Sequence, residues 1–510
     1  MAIVRRRFSI LIAGAAVLAA LSGCTLLPGL PTATQPAATS IDGFYAQKLN
    51  WHKCGEGMQC TTVSAPVNWA SPADGSIDLA VVRHAASGGT SMGSLLVNPG
   101  GPGGSGFDFV QQGLSYAVSQ NLIDNYDIVG WDPRGVGQST PVTCFTDDKD
   151  RDESLYGTFD SPYDTQGWID ELTVAEAKFA AACEKNTGEL LGNVDSASTA
   201  RDMDLIRALL GDAKLNYLGY SYGTYLGTMY AELFPEKVGR MVLDGAIDPL
   251  VGDFDALKTQ MAGFDSALKA YMAFCLDSEG CPFTGDLDTA LSQVRGVLDT
   301  VDAQGLVNDD GRKLDSATVG TAIAENLYSE SYWPDMTQMF VDLQQGDPSS
   351  AFVNADYYNS RNSDGSYSGN SVEVYEAVNC VDGDFASDPA STLDRIAEID
   401  AAAPILGKYF AYDDFAVLDT VCSEWPAKPA TLPTKFDAPG SPAILVIGTT
   451  NDPATPYAQS VSLAGQLSKG VLITHEGEGH TVYNQGVSCI DDTVDDYFVK
   501  GTVPTEDPMC

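Results

Sequence analysis

Short apolar runs bounded by turn residues recur along this chain and predict eight strands. They are Thr61 to Trp69, Ile77 to His84, Ser94 to Asn98, Tyr126 to Trp131, Leu215 to Leu218, Val238 to Asp244, Ala443 to Gly448 and Gly470 to His475. Helical spacing predicts helices between them at Phe107 to Ile123, Thr173 to Glu184, Thr199 to Leu210 and Thr224 to Phe234. Strands alternating with helices form a mostly parallel sheet covered on both faces, and such a sheet carries its site beyond the carboxyl ends of its strands. The fold class expected is α/β, with an eight-stranded, mostly parallel sheet.

After Gly245 the strand pattern stops until Ala443. In that gap Phe254, Leu257, Met261, Phe264, Leu268 and Tyr271 fall on one helix face, which must be buried somewhere. Residues 251 to 375 are therefore read as a helical cap over the active edge of the sheet, its aromatic residues serving as core. The sheet core is assigned to residues 46 to 250 and 376 to 510.

The run Leu215 to Phe234 reads as a strand, then G-Y-S-Y-G at 219 to 223, then a helix. This is the pattern of a nucleophile elbow, in which a Ser is forced into a strained turn above the sheet and flanking Gly residues let strand and helix close together. A second G-x-S-x-G, at Gly89 to Gly93, lies in a polar turn followed by a strand, so Ser91 is set aside and Ser221 retained.

The amino terminus changes the picture of where such a site works. Arg5 to Arg7, an apolar run to Leu21 and Ser22-Gly23-Cys24 make a secretory signal ending like a bacterial lipobox. Residues 1 to 23 are read as a signal peptide, Cys24 as the lipid-bearing residue, and 24 to 45 as a Pro-, Thr- and Ala-rich tether. Eleven Cys less Cys24 leaves ten, in keeping with disulfides in an oxidising compartment. Short loops favour Cys54 with Cys60 and Cys275 with Cys281; order along the chain suggests Cys144 with Cys183, Cys380 with Cys422 and Cys489 with Cys510. No metal is expected, since no Cys-x-x-Cys occurs and the four His are not grouped with Cys. With 28 basic and 69 acidic residues the chain carries a formal charge of −41, which repels nucleic acid and argues against a polybasic membrane patch. Attachment through the lipid alone, and a monomer, are the expectations.

A Ser hydroxyl needs a general base, usually a His oriented by a carboxylate, in the chain order Ser, acid, His for this type of fold. His52 and His84 precede Ser221. Of the other two, His475 belongs to the last strand, whereas His480 follows in a Gly-rich loop that can bring the imidazole back over the sheet. The carboxylate expected is Asp452, directly after the penultimate strand, with Asp244 as runner-up. Backbone donors for an oxyanion are expected from Tyr222, next to the nucleophile, and from Gly101 in the Gly-rich loop after the third strand.

N-P-G-G-P-G-G-S-G at 98 to 106, G-W-D-P-R-G-V-G-Q-S at 130 to 139, G-Y-S-Y-G, N-D-P-A-T-P at 451 to 456 and G-E-G-H at 477 to 480 together resemble the secreted tripeptidyl aminopeptidases of actinobacterial type. These are α/β-hydrolase-fold serine peptidases related to proline iminopeptidases, which have His where this chain has Pro99. The resemblance covers nearly all of the chain after the tether, including Trp51-x-x-Cys54 and Cys422-x-x-Trp425-Pro426. It implies Ser221 as nucleophile, Asp452 as acid, His480 as base, Gly101 and Tyr222 as oxyanion donors, and no cofactor. It also implies removal of short peptides, usually tripeptides, from free amino termini, with a cap carboxylate pairing with the substrate ammonium; Glu373, Glu376 and Asp382 are the candidates. Two other readings stand beside it: an ester hydrolase using the same triad, and a catalytically silent peptide-binding envelope lipoprotein.

Overall fold

The computed structural model describes residues 38–383, 391–411 and 420–510. The signal peptide, Cys24 and most of the expected tether lie outside these residues. The last part of that tether is folded: Ile41–Tyr45 is a short helix whose Phe44 is fully buried and whose Tyr45 hydroxyl donates to Asp204 at 2.9 Å.

Among the described residues nine strands form one sheet: β1 His52–Lys53, β2 Met58–Pro66, β3 Ser76–His84, β4 Ser94–Asn98, β5 Asp127–Trp131, β6 Leu215–Tyr220, β7 Val238–Asp244, β8 Ile444–Asn451 and β9 Gly470–Glu478. Their order is β1-β2-β3-β5-β4-β6-β7-β8-β9, with the first four antiparallel and β5, β4, β6, β7, β8 and β9 parallel. The sheet thus has one strand more than expected. β1 is two residues long, pairs His52 with Cys60, and is too short to show any periodicity.

In the parallel part successive residues enter opposite layers. Tyr217, Met241 and Leu243 pack into one apolar cluster with Trp131 and Leu226, while Leu218, Val242, Leu445 and Ile447 pack into the other with Phe107 and Phe498. Burial on both faces is why these strands read as continuous apolar runs. The helix expected at 107 to 123 is two helices, Gly106–Ala117 and Gln120–Asn125, divided where the Ser119 side chain accepts from the amide of Leu122.

Between β7 and β8 the described residues are mainly helical, beginning with Asp253–Asp277 and including Ser316–Leu327, Ser349–Tyr358, Ser371–Asp382 and Thr392–Ala402. Met261, Phe264, Leu268 and Tyr271 are buried, and Phe264 meets Phe410 edge-on at 5.2 Å, as a core face requires. The expected boundary at 375 falls inside helix Ser371–Asp382, so no break in structure occurs there. Helix Asp253–Asp277 packs on the loop after β8: the Gln260 side chain donates to Ala454 O at 2.7 Å and Ser266 to Asn451 at 2.6 Å. Five disulfides join the Cys pairs named above. No helix among the described residues is long and apolar enough to cross a membrane.

Candidate active site

Ser221 stands between β6 and helix Tyr222–Leu233 with φ 53° and ψ −127°, a conformation that non-Gly residues avoid unless their surroundings impose it. The surroundings are specific. Its amide donates to Asp244 O at 2.9 Å, and its carbonyl accepts from the amide and hydroxyl of Thr224 at 2.8 and 2.6 Å. A Cβ at Gly219 would fall 2.4 Å from Gly223 O, and one at Gly223 would fall 2.8 Å from Asn98 O, so the turn closes only with Gly at both places. Ser91 lies in an exposed turn and bonds locally to Gly93 and to the amide of Asp127, away from any such geometry.

The loop after β4 lies against the elbow: a Cβ at Gly100 would be 2.8 Å from Ser221 Cβ and 3.0 Å from Tyr222 N. The Tyr222 amide opens its helix, where N–H groups have no intrahelical acceptor. Gly101 follows with φ 112°, a backbone only Gly adopts freely. The loop is pinned by Asp132 of the G-W-D-P-R-G motif, which accepts from Ser105 Oγ at 2.5 Å and from the amides of Phe107 and Gln138. Burial pushes the Asp132 carboxyl up to about 6 against the lowering pull of those bonds. Arg134 of the same motif forms a fully buried ion pair with Asp202 at 2.7 Å, so the motif is structural support for the oxyanion loop.

His480 Nδ1 lies 2.9 Å from both oxygens of Asp452, and Asp452 Oδ1 is itself held by the amides of Ala454 and Thr455 at 2.9 and 2.8 Å. Thr455 Oγ1 donates to Asp452 Oδ2 at 3.1 Å and sits 3.3 Å from His480 Nδ1. Nε2, on the opposite side of the ring, is buried and makes no hydrogen bond among the described residues. The ring stands over the strand ends beside the elbow: its Cε1 lies 3.0 Å from where a Cβ on Gly245 would be, one residue after the Asp244 carbonyl that takes the Ser221 amide. Burial opposes the imidazolium, but the charge and hydrogen bond of Asp452, with help from Asp244, outweigh it and raise the His480 pKa. His475 remains in β9 with its ring against Gly477.

Asp244, the runner-up acid, has another task. Its Oδ2 accepts the amides of Val482 and Tyr483 at 2.9 and 2.8 Å, clamping the loop that carries His480. Burial pushes it up to about 6. The cap supplies a second clamp that the sequence did not disclose: Tyr328 O accepts the His480 amide at 2.9 Å, and the Tyr328 ring meets the imidazole edge-on at 5.3 Å.

The three carboxylates considered for a substrate amine separate clearly. Glu373 is taken by Arg151 at 2.6 Å, which removes it from that role. Glu376 lines, with Glu373, Glu176 and Arg151, a small cavity that includes none of Ser221, Asp452 and His480. Asp382 is near the elbow: it accepts the amide and hydroxyl of Ser196, whose Oγ lies 2.5 Å from the Tyr222 hydroxyl. Burial, with Asp195 and Asp253 nearby, pushes Asp382 up to about 7 despite the bonds from Ser196.

A Ser in a strained strand-to-helix turn, with an imidazole held by a carboxylate beyond the same edge of a parallel sheet, defines an α/β-hydrolase-fold serine hydrolase. Comparison with known proteins agrees. Residues 408–510 match the family described as TAP-like protein. The chain is 34% identical over 524 residues to serine protease Hip1 of Mycobacterium tuberculosis, covering 97% of this chain and 96% of that one. It is 37% identical to carboxylesterase B of the same species, covering 96% and 97%. Against the tripeptidyl aminopeptidase of Streptomyces coelicolor it is 32% identical, covering 91% and 86%. Among solved structures, an epoxide hydrolase from an endophytic Streptomyces matches at 12% identity and TM-score 0.37, covering 89% of this chain and 100% of that one. The chain belongs to the TAP-like family of α/β-hydrolase serine hydrolases.

Proposed function

We propose that this protein is an extracytoplasmic serine exopeptidase that releases short peptides, tripeptides foremost, from free amino termini. The observation that carries the reading is the imidazole of His480, bonded to Asp452 through Nδ1 and left open at Nε2 beside the strained Ser221. Nε2 takes the Ser221 proton as Oγ attacks the scissile carbonyl, and the amides of Tyr222 and Gly101 receive the oxyanion. His480 then gives the proton to the departing amine, leaving an acyl-enzyme that water cleaves by the same steps in reverse.

For the free amino terminus, Asp382 is the carboxylate that best fits. It reaches the acyl side of the elbow through Ser196 and Tyr222, and its two acidic neighbours favour an incoming ammonium. The exopeptidase reading predicts that a tripeptidyl p-nitroanilide with a free amine is cut at least about a hundredfold faster than its acetylated counterpart, the loss expected for an unpaired buried charge. Equal rates on the two would remove it. One relative bears the name carboxylesterase, which favours a second reading on the same triad; a simple p-nitrophenyl ester hydrolysed far faster than any free peptide anilide would select that reading instead.

Export and lipid attachment are supported by the basic and apolar residues before Cys24, by five disulfides and by the acidic surface. Cells fed a labelled fatty acid are expected to incorporate it into the protein, and Cys24→Ser to abolish incorporation. Label retained in the variant would rule out Cys24 as the anchor.

A further inference from the structure

Glu325 lies near the end of helix Ser316–Leu327, three residues before Tyr328, so the two side chains share one side of the helix. Tyr328 is the residue whose ring and carbonyl hold His480. Glu325 is half-buried and, among the described residues, forms no hydrogen bond or ion pair through its carboxylate. It lies within electrostatic reach of Tyr116, Tyr328 and Tyr332, and both Tyr116 and Tyr332 are in reach of Tyr357. Tyr116, Tyr332 and Tyr357 are 60%, 36% and 69% exposed, so phenols drawn from the core and from two parts of the cap stand open to solvent in the neighbourhood of this carboxylate.

The place of these phenols follows from the chemistry. His480 protonates the departing amine, so the residues after the scissile bond must leave past the imidazole, and the Tyr328 ring meets that imidazole at 5.3 Å. The acyl portion goes the other way, toward Tyr222 and the loop of Gly101. A carboxylate beside Tyr328 therefore meets the leaving peptide.

We propose that Glu325, with the tyrosines around it, forms a subsite for a Lys or Arg side chain at the start of the leaving peptide. The inference rests on the peptidase reading above and adds a preference on the side of the bond which that reading leaves open. Tyrosine faces attract a cation, and a carboxylate in a partly desolvated position gives a charge-assisted bond that neither a neutral side chain nor an acidic one can make. Burial alone pushes the Glu325 carboxyl up to about 7. The tyrosines within its reach, Tyr116, Tyr328 and Tyr332, supply no positive charge; Asp244 acts on Tyr116 and Asp452 on Tyr328 with negative charge, and His480, against the Tyr328 ring, turns positive as pH falls, which works in the same direction as loss of the Glu325 charge. The preference is accordingly full above about pH 8 and fades below about pH 6, as Glu325 takes up a proton.

The test uses the full-length protein and peptides Ala-Ala-Ala-Lys-Ala and Ala-Ala-Ala-Gln-Ala, cut before Lys or Gln. The wild type is expected to favour the Lys peptide by about tenfold in kcat/KM at about pH 8, and E325Q to bring the ratio near one. Both proteins should cut tripeptidyl p-nitroanilide, whose leaving group is uncharged, at similar rates. A wild-type ratio near one, or a ratio unchanged in E325Q, overturns the subsite. Loss of anilide hydrolysis in E325Q also overturns it, in favour of a structural role. One measurement needs no variant: the dipeptide Lys-Ala should inhibit anilide hydrolysis by the wild type about tenfold better than Gln-Ala, and equal inhibition counts against the subsite. A wild type inactive on every free peptide and anilide removes the peptidase reading, and the subsite with it.

Discussion

Ser221→Ala is expected to lower kcat for peptide hydrolysis on the order of a millionfold, His480→Ala by a similar factor, and Asp452→Asn by about ten-thousandfold. The first two remove the nucleophile and the imidazole placed to take its proton. The third leaves a neutral amide where His480 Nδ1 now meets two carboxylate oxygens at 2.9 Å, so the wrong tautomer is favoured and the imidazolium loses its counter-charge. Because the three act as a unit, the double variant Ser221→Ala, His480→Ala should be little worse than either alone. The pH profile carries the same information. Burial disfavours the imidazolium, yet Asp452 and Asp244 hold its pKa above 6.5. Only neutral His480 acts as base, so kcat/KM should climb with rising pH through a midpoint above that value. In Asp452→Asn the opposing effect of burial remains with only Asp244 against it, and the midpoint should move to lower pH. A profile flat across that range, or single-variant losses below about tenfold, would contradict the assignment of roles.

Gly219→Val is expected to be the most destabilising single change at the elbow, by about 3 kcal/mol or more. A Cβ there would fall 2.4 Å from Gly223 O and 2.7 Å from Tyr217 Cε1, and Val adds two methyl groups beyond it. Neither neighbour can give way easily. Gly223 O is the acceptor of the Tyr217 hydroxyl at 2.7 Å, and the Tyr217 side chain is wholly buried between the sheet and the elbow helix. Relief would require β6 and helix Tyr222–Leu233 to separate, which releases Ser221 from its strained conformation. Gly113→Ala is the control, since nothing lies within 4 Å of its added Cβ. Urea unfolding should show a large drop in midpoint for the first and little change for the second; equal midpoints would mean that the close approach at Gly219 is not a constraint.

The central strands were legible in the sequence because both of their faces are buried, which writes them as unbroken apolar runs such as Met241 to Leu243 and Ile444 to Ile447. The elbow and the loop of His480 were legible because their Gly residues answer to local backbone demands. Where side chains act across the fold, the sequence was silent or incomplete. Asp244 stood out as an acid at a strand end, but its role depends on the amides of Val482 and Tyr483 returning to it from the far end of the chain. Glu325 sits in a cap helix and Tyr328 directly follows it; the spacing there says only that one face is buried, not that the helix end lies against an imidazole. Glu373 and Asp382 share one helix; only the packing shows that Arg151 engages the first, while the second reaches the elbow through Ser196. The cap boundary was missed because helix Ser371–Asp382 continues through the expected limit with unchanged periodicity.

The account stands on one hydroxyl being activated by one imidazole, and a fluorophosphonate reads that activation directly. Treated with such a probe and mapped by mass spectrometry, the wild type is predicted to carry the label on Ser221 alone, with labelling slowed at least about a thousandfold in His480→Ala. Label on a different residue, or an equal labelling rate in the variant, would contradict it.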